Sequence, residues 1–186
     1  MKKYELTSET KVIDGVELHR IKALNSFGNI KEGDLGGWIE SEKNLSQDGD
    51  AWVFNNAEVS GNAIVSENAT VDGNATISGN AIVSGNATVS GNATVEDKAK
   101  VRGNATVSGN AKVSRDADYI VFKNWWSSGR YFTWTRSNNK WDVGCFYGTG
   151  EELIAKAYKD SEKSGREYER VVKYVESILE EENNNK

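Results

Sequence analysis

What this chain lacks narrows its chemistry before any motif is read: its 186 residues include one histidine and one cysteine. A lone thiol, Cys145, cannot form an intramolecular disulfide, and a reducing cytosol is its natural setting. One histidine and one cysteine cannot assemble a transition-metal cluster within a single chain, so neither a metal nor another cofactor is expected. No apolar run approaches membrane-spanning length and no signal peptide precedes the first strand-like stretch, which makes a cytoplasmic protein the expectation. A basic excess is missing too: the formal net charge is -5, which gives no overall reason to expect nucleic-acid binding.

What is present in quantity is a six-residue repeat, Asn-Ala-x-Val-Ser-Gly, running through residues 56–115. Its branched residues fall at Val53, Val59, Val65, Val71, Ile77, Val83, Val89, Val95, Val101, Val107 and Val113, each two residues after an alanine. A helix of about 3.6 residues per turn would scatter these side chains around its circumference, whereas a period of six sets them about 120° apart on a coil of three short strands. Three hexapeptides then close one triangular coil of a parallel β-helix. The branched residue points inward, alanine fits near the corner, and Gly-Asn supplies the sharp turn. Asparagines one coil apart, such as Asn62 with Asn80 and Asn68 with Asn86, should stack as ladders. The Asn-Ala-Thr triplets match the glycosylation sequon only as by-products of the repeat.

These hexapeptides strongly resemble those of the hexapeptide-repeat proteins with left-handed β-helices, a family that includes many acyltransferases. The resemblance implies the left-handed sense, and it raises acyl transfer using a histidine from the coil region as general base. Here the single histidine, His19, precedes the coils and reads as a surface or packing residue. The coils also lack inserted loops that would build an active site. No catalytic residue is assigned, and a non-enzyme is expected.

Ahead of the repeat, Tyr4, Leu6, Val12 and Ile13, then Asp14-Gly15, then Val16, Leu18, Ile21 and Leu24 alternate as a β-hairpin with a tight turn. Such a hairpin suits the open edge of a solenoid, whose unpaired N–H and C=O groups invite endless stacking. Gly33-Asp34-Leu35-Gly36-Gly37-Trp38-Ile39-Glu40 and the residues to Val53 read as irregular first coils with a two-residue insertion. This opening resembles that of bacterial and bacteriophage hexapeptide-repeat proteins often labelled polymer-forming or cytoskeletal. That likeness implies a phage-borne accessory or anti-defence protein.

After Arg115 the rhythm stops and aromatic residues crowd in. Three strand-like runs, 119–125, 130–136 and 141–147, suggest an antiparallel meander. Cys145 falls mid-strand there and reads as a buried structural thiol. Thr149 with Glu152 is a capping-box signature for a helix to about Ser161, and a second helix follows from about Arg166. The expected fold is mainly β: an N-terminal β cap and irregular first coil (1–48), a left-handed parallel β-helix (49–116), and a C-terminal α+β domain of three strands and two helices (117–186).

Two surfaces stand out. The residue between alanine and valine points outward, stacking Trp52, Thr70, Thr88 and Thr106 on one face and Glu58, Thr76, Thr94 and Lys112 on the next. The third face carries Ile64, Ile82, Lys100 and Asp118; its apolar stripe suggests a homo-oligomer, trimer or dimer. Threonine rows of this kind resemble those of ice-binding proteins, but Asp72 and Glu96 interrupt them.

In the meander, Lys123, Arg130, Arg136 and Lys140 interleave with Trp125, Trp126, Tyr131 and Trp134 without an acid between 123 and 140. Stacking surfaces flanked by cations suit a nucleotide or a host protein. The favoured reading makes Phe132 and Trp134 the core beneath the helices, with Tyr131, Thr133 and Thr135 facing out, because a small sheet needs aromatic mass to hold them. The favoured function is a non-enzymatic binding protein whose β-helix oligomerises and whose C-terminal domain engages the partner. A structural scaffold or filament is the alternative.

Overall fold

The computed structural model describes residues 2–185. Each hexapeptide lays down one two-residue strand whose second residue is fully buried, and coils stack in parallel, in register, eighteen residues apart. The first face joins β3 (Leu35–Ile39), β5 (Glu58–Val59), β8 (Thr76–Ile77), β11 (Thr94–Val95) and β14 (Lys112–Val113). The second stacks β4 (Trp52–Val53), β7 (Thr70–Val71), β10 (Thr88–Val89) and β13 (Thr106–Val107). The third stacks β6 (Ile64–Val65), β9 (Ile82–Val83) and β12 (Lys100–Val101), with Leu45 bridging Val65 before it. The result is a β-solenoid of about four turns filled with alanine and valine.

Asparagine ladders run along its corners, with Asn62 donating to Asn80 at 3.2 Å and Asn68 to Asn86 at 3.1 Å. Glycine at the corner meets two demands at once: Gly73 has φ of 71°, and a β-carbon there would lie 2.9 Å from the Gly91 carbonyl of the next coil.

The two-residue insertion falls between Leu45 and Val53, since Ile39 and Leu45 pair twenty residues ahead with Val59 and Val65 while Val53 pairs eighteen ahead with Val71. The hairpin of β1 (Tyr4–Ile13) and β2 (Val16–Ala23) turns at Asp14-Gly15, both at positive φ, and adds two antiparallel strands to the first face. Gly36 and Gly37 permit this docking, because a β-carbon at either would collide with Val53 or its neighbours at under 3 Å. Trp52, expected on the outer surface, is instead covered by the N-terminal segment, edge-on to Tyr4 and Phe27. Leaving so large an apolar surface in water would cost more than folding a cap across it.

The C-terminal unit has four strands rather than three: β15 (Tyr119–Lys123), β16 (Tyr131–Thr135), β17 (Lys140–Val143) and β18 (Phe146–Gly148) form an antiparallel sheet in chain order. The run expected at 141–147 folds back at Gly144, which takes φ of 63°. Cys145 therefore sits exposed in a turn, not buried mid-strand. Helix α1 (Gly150–Asp160) begins with the expected box: Thr149 Oγ1 accepts from Glu152 N at 3.2 Å and Glu152 Oε2 from Thr149 N at 2.8 Å. Helix α2 (Glu162–Asn184) starts about four residues before the sequence expectation, because Ser161 caps it by accepting from Ser164 N. Asp118, expected outward on the third face, lies in a 3-10 turn (Asp116–Asp118) that ends the solenoid.

The solenoid's two edges differ chemically, and its flanking segments match that difference. Each coil donates N–H groups to the carbonyls of the next, as Thr88 does to Ala105, so the rod opens with bare carbonyls and closes with bare amides. At the carbonyl end, side-chain donors arrive: Tyr4 hydroxyl to Leu45 O (2.7 Å), and Lys3 Nζ to Ala51 O (3.0 Å) and Gly49 O (3.2 Å). At the amide end, side-chain oxygens accept: Asp116 from Lys100 N (2.8 Å), Thr133 from Thr106 N (2.9 Å), Ser137 from Lys112 N (2.7 Å) and Asp118 from Ser114 N (2.9 Å).

Candidate functional site

The C-terminal sheet is covered on both faces, which decides the fate of the aromatic-basic segment. Alternate residues of β16 diverge: Phe132 and Trp134 pack beneath the helices, while Thr133 and Thr135 are buried on the side facing the solenoid. Trp126 and Trp134 are therefore core, not ligand-facing. Trp126 packs edge-on against Tyr168 at 5.0 Å, and Trp134 donates its indole N–H to Asn139 at 2.8 Å. Thr133 and Thr135 depart from their expected outward position, because the solenoid end occupies that side.

The cations separate as well. Arg136 is a structural clamp, bidentate to Glu182 at 2.6 and 3.2 Å with its Nε donating to Ala117 O. Lys140 lies near the Glu152 carboxylate, whose pKa is held down first by the Thr149 backbone N–H and then by this ammonium. What stays in solvent is a smaller cluster: Lys123 over the Tyr131 ring at 5.6 Å, Tyr131 itself, Arg130, and Trp125, which is 75% exposed. On the solenoid, Ile64 and Ile82 do stack in register, with Lys100 paired after Ile82. Ile64 is exposed, Ile82 half-buried, and Lys100 ends the stripe. His19 sits in β2, paired opposite Thr10 and Ile39, and lines none of the clefts described below.

A cleft that the sequence did not announce lies beside this cluster. Helix α1 gives it one wall with residues three and four apart, Leu153, Lys156, Ala157 and Asp160. The β17–β18 turn gives Val143, Cys145 and Phe146, the loop after β15 gives Ser127, Ser128 and Arg130, and α2 gives Ser164 and Tyr168. The cavity measures about 240 Å³. Asn124 holds its floor together, donating to Ser127 Oγ at 2.9 Å and to the Tyr168 hydroxyl at 3.1 Å while accepting from Ser127 N at 2.9 Å. Burial pushes the Tyr168 phenol above its ordinary pKa. No sequence signal marks this cleft, because its lining comes from four separated stretches.

A shallower groove of about 500 Å³ runs beside the third solenoid face, lined by Ser66, Glu67, Ile82, Ser84 and Arg102. Among the described residues no group of three or more His, Cys, Asp and Glu side chains is placed to hold a metal ion. Among the described residues no helix is long and apolar enough to cross a membrane.

The repeat also speaks through its relatives. The family model for the YdcK beta solenoid repeat matches residues 75–91 and 81–97, within the stacked coils. The chain is similar to the uncharacterized acetyltransferase YdcK of Escherichia coli strain K12, 31% identical over 68 residues that cover 32% of this chain and 21% of that protein. It thus spans about a fifth of the length of the curated relative it matches. Repeat and fold together make this chain a β-solenoid protein whose coils are similar to the YdcK beta solenoid repeat.

Proposed function

We propose that this protein is a non-enzymatic binding protein in which a capped, rigid solenoid presents the C-terminal unit to a partner, a host protein or a nucleotide. The observation that carries this reading is Trp125, 75% exposed just after the strand end where Lys123 pairs with Tyr131 and Asn124 N bonds Arg130 O, although neighbouring Trp126 is packed in the core. A bare tryptophan among cations is the composition of an interface anchor. Sealed solenoid edges favour this reading over a filament. Self-association through Ile64 and Ile82, as a dimer or trimer, would present several copies at once and add avidity. An anti-defence role in phage-infected cells is the narrowest form of the proposal, and it draws only on the likeness of the opening segment to phage-borne hexapeptide proteins. Affinity capture with tagged wild-type protein and with Trp125→Ala plus Lys123→Ala tests it. A partner retained by the wild type and lost by the double variant supports the reading; equal retention by both sinks it.

Acyl transfer is the second reading, favoured by the name of the YdcK relative. Against it stands the position of His19, paired within the N-terminal hairpin sheet. If acetyl-coenzyme A is consumed with small amine or hydroxyl acceptors, and His19→Ala abolishes the turnover, the acyltransferase reading displaces the binding one.

A further inference from the structure

We propose that the cleft between α1, the β17–β18 turn and the loop after β15 binds a small amphipathic carboxylate. This rests on the reading of the C-terminal unit as the binding part and names a ligand class for it.

Three hydrogen-bond donors converge on the cavity. Arg130 and Lys156 line it, and among the described residues neither side chain has an ion-pair partner. The third donor is the Tyr168 hydroxyl, 92% buried by residue; it accepts from Asn124 and donates to no described residue. Its proton is thus left for whatever occupies the cavity, and a ligand oxygen can accept it. Asp160 is the one acidic group in the lining, so the cleft carries one more positive than negative charge, suited to a monoanion. A carboxylate is singly charged at neutral pH, whereas a phosphate monoester carries about −1.5 to −2.

The β17–β18 turn adds an apolar surface from Val143 and Phe146, and Leu153 and Ala157 of α1 extend it. A cavity of about 240 Å³ holds a short aliphatic or single-ring body and not a dinucleotide. Arg130 supplies a fork whose geometry matches the two carboxylate oxygens.

Titration of the full chain with 3-phenylpropionate, followed by amide NMR, tests the proposal. Saturable shifts at Ser127, Ser164 and Tyr168 are expected, weaker in high salt. The neutral analogue 3-phenylpropanol should bind at least about tenfold more weakly, the effect expected for one lost charge-assisted contact. Arg130→Gln with Lys156→Gln should weaken binding by about tenfold or more, while Lys123→Gln, outside the cleft, should not. Equal binding of the alcohol, shifts confined to other surfaces, unchanged affinity in the double variant, or tighter binding of phenyl phosphate would each overturn the assignment. Loss of the cleft result alongside a partner still captured through Trp125 removes this inference alone; loss of both removes the binding reading as well.

Discussion

At the scale of single residues, the repeat tolerates departures where the solenoid can absorb them and charges for them elsewhere. Glu67 takes the corner position that glycine fills in most coils, with φ of 60°. A non-glycine residue there costs roughly 1–2 kcal/mol, partly offset by the entropy that glycine loses on folding. Glu67→Gly should therefore raise stability by up to about 1 kcal/mol, seen calorimetrically as a Tm higher by about 2–4 °C. Gly73→Ala should lower it by more than about 1 kcal/mol, because positive φ and the approach of the Gly91 carbonyl act together.

Lys3 is a different case. It is only 6% exposed, and burial lowers its pKa from 10.5 to about 8 despite the charges of Asp50 and Asp48. Between those values the unfolded chain holds more protons than the folded one, so this residue makes stability rise with pH from about 8 to about 10. Above pH 10 the neighbouring Tyr4 reverses the trend, since burial pushes its phenol well above the ordinary 10.0 and the unfolded state alone ionises. Urea titrations at pH 7.5 and 9.5 should show this rise, and Lys3→Met should abolish it while costing about 1–3 kcal/mol for carbonyls left without a donor.

At the scale of elements, the edge contacts decide how the units join. Thr133→Val keeps the shape of β16 but removes the acceptor for Thr106 N. The orphaned amide should cost about 1–3 kcal/mol, with hydrogen exchange at Thr106 accelerated and exchange in the interior coils unchanged. The strands and helices themselves were largely readable. Valines at a strict period could only be solenoid strands, and Thr149 with Glu152 located the start of α1. The missed break at Gly144 has a local reason. Trp141 and Val143 before it and Phe146 and Tyr147 after it are aromatic or branched and look continuous, while the turn depends on one glycine entering positive φ. Trp52 was misplaced for the opposite reason, as only a distant segment decides whether an outward side chain is covered.

For the whole molecule, donor-bearing and acceptor-bearing caps at opposite ends make the solenoid a closed object. A chain ending at residue 115 would expose amides alone, which cannot pair with a second set of amides in register. It should aggregate without ordered growth. Removing residues 1–36 as well exposes complementary edges, and these coils should then stack into fibrils visible by electron microscopy with a spacing of about 4.7–4.9 Å between strands. Fibrils from the singly truncated chain would contradict the donor–acceptor account.

The sequence alone determined the coil: a residue buried every six positions is a local property, repeated often enough that no other regular backbone satisfies it. It also determined that imidazole chemistry within the coils has no residue to perform it. Which aromatics are core and which are surface was decided only in three dimensions, because β16 is covered on both faces and alternation then carries no information about exposure. The cleft was likewise invisible in the chain, its donors Arg130, Lys156 and Tyr168 being brought together only when two helices close over the sheet that seals the solenoid's last amides.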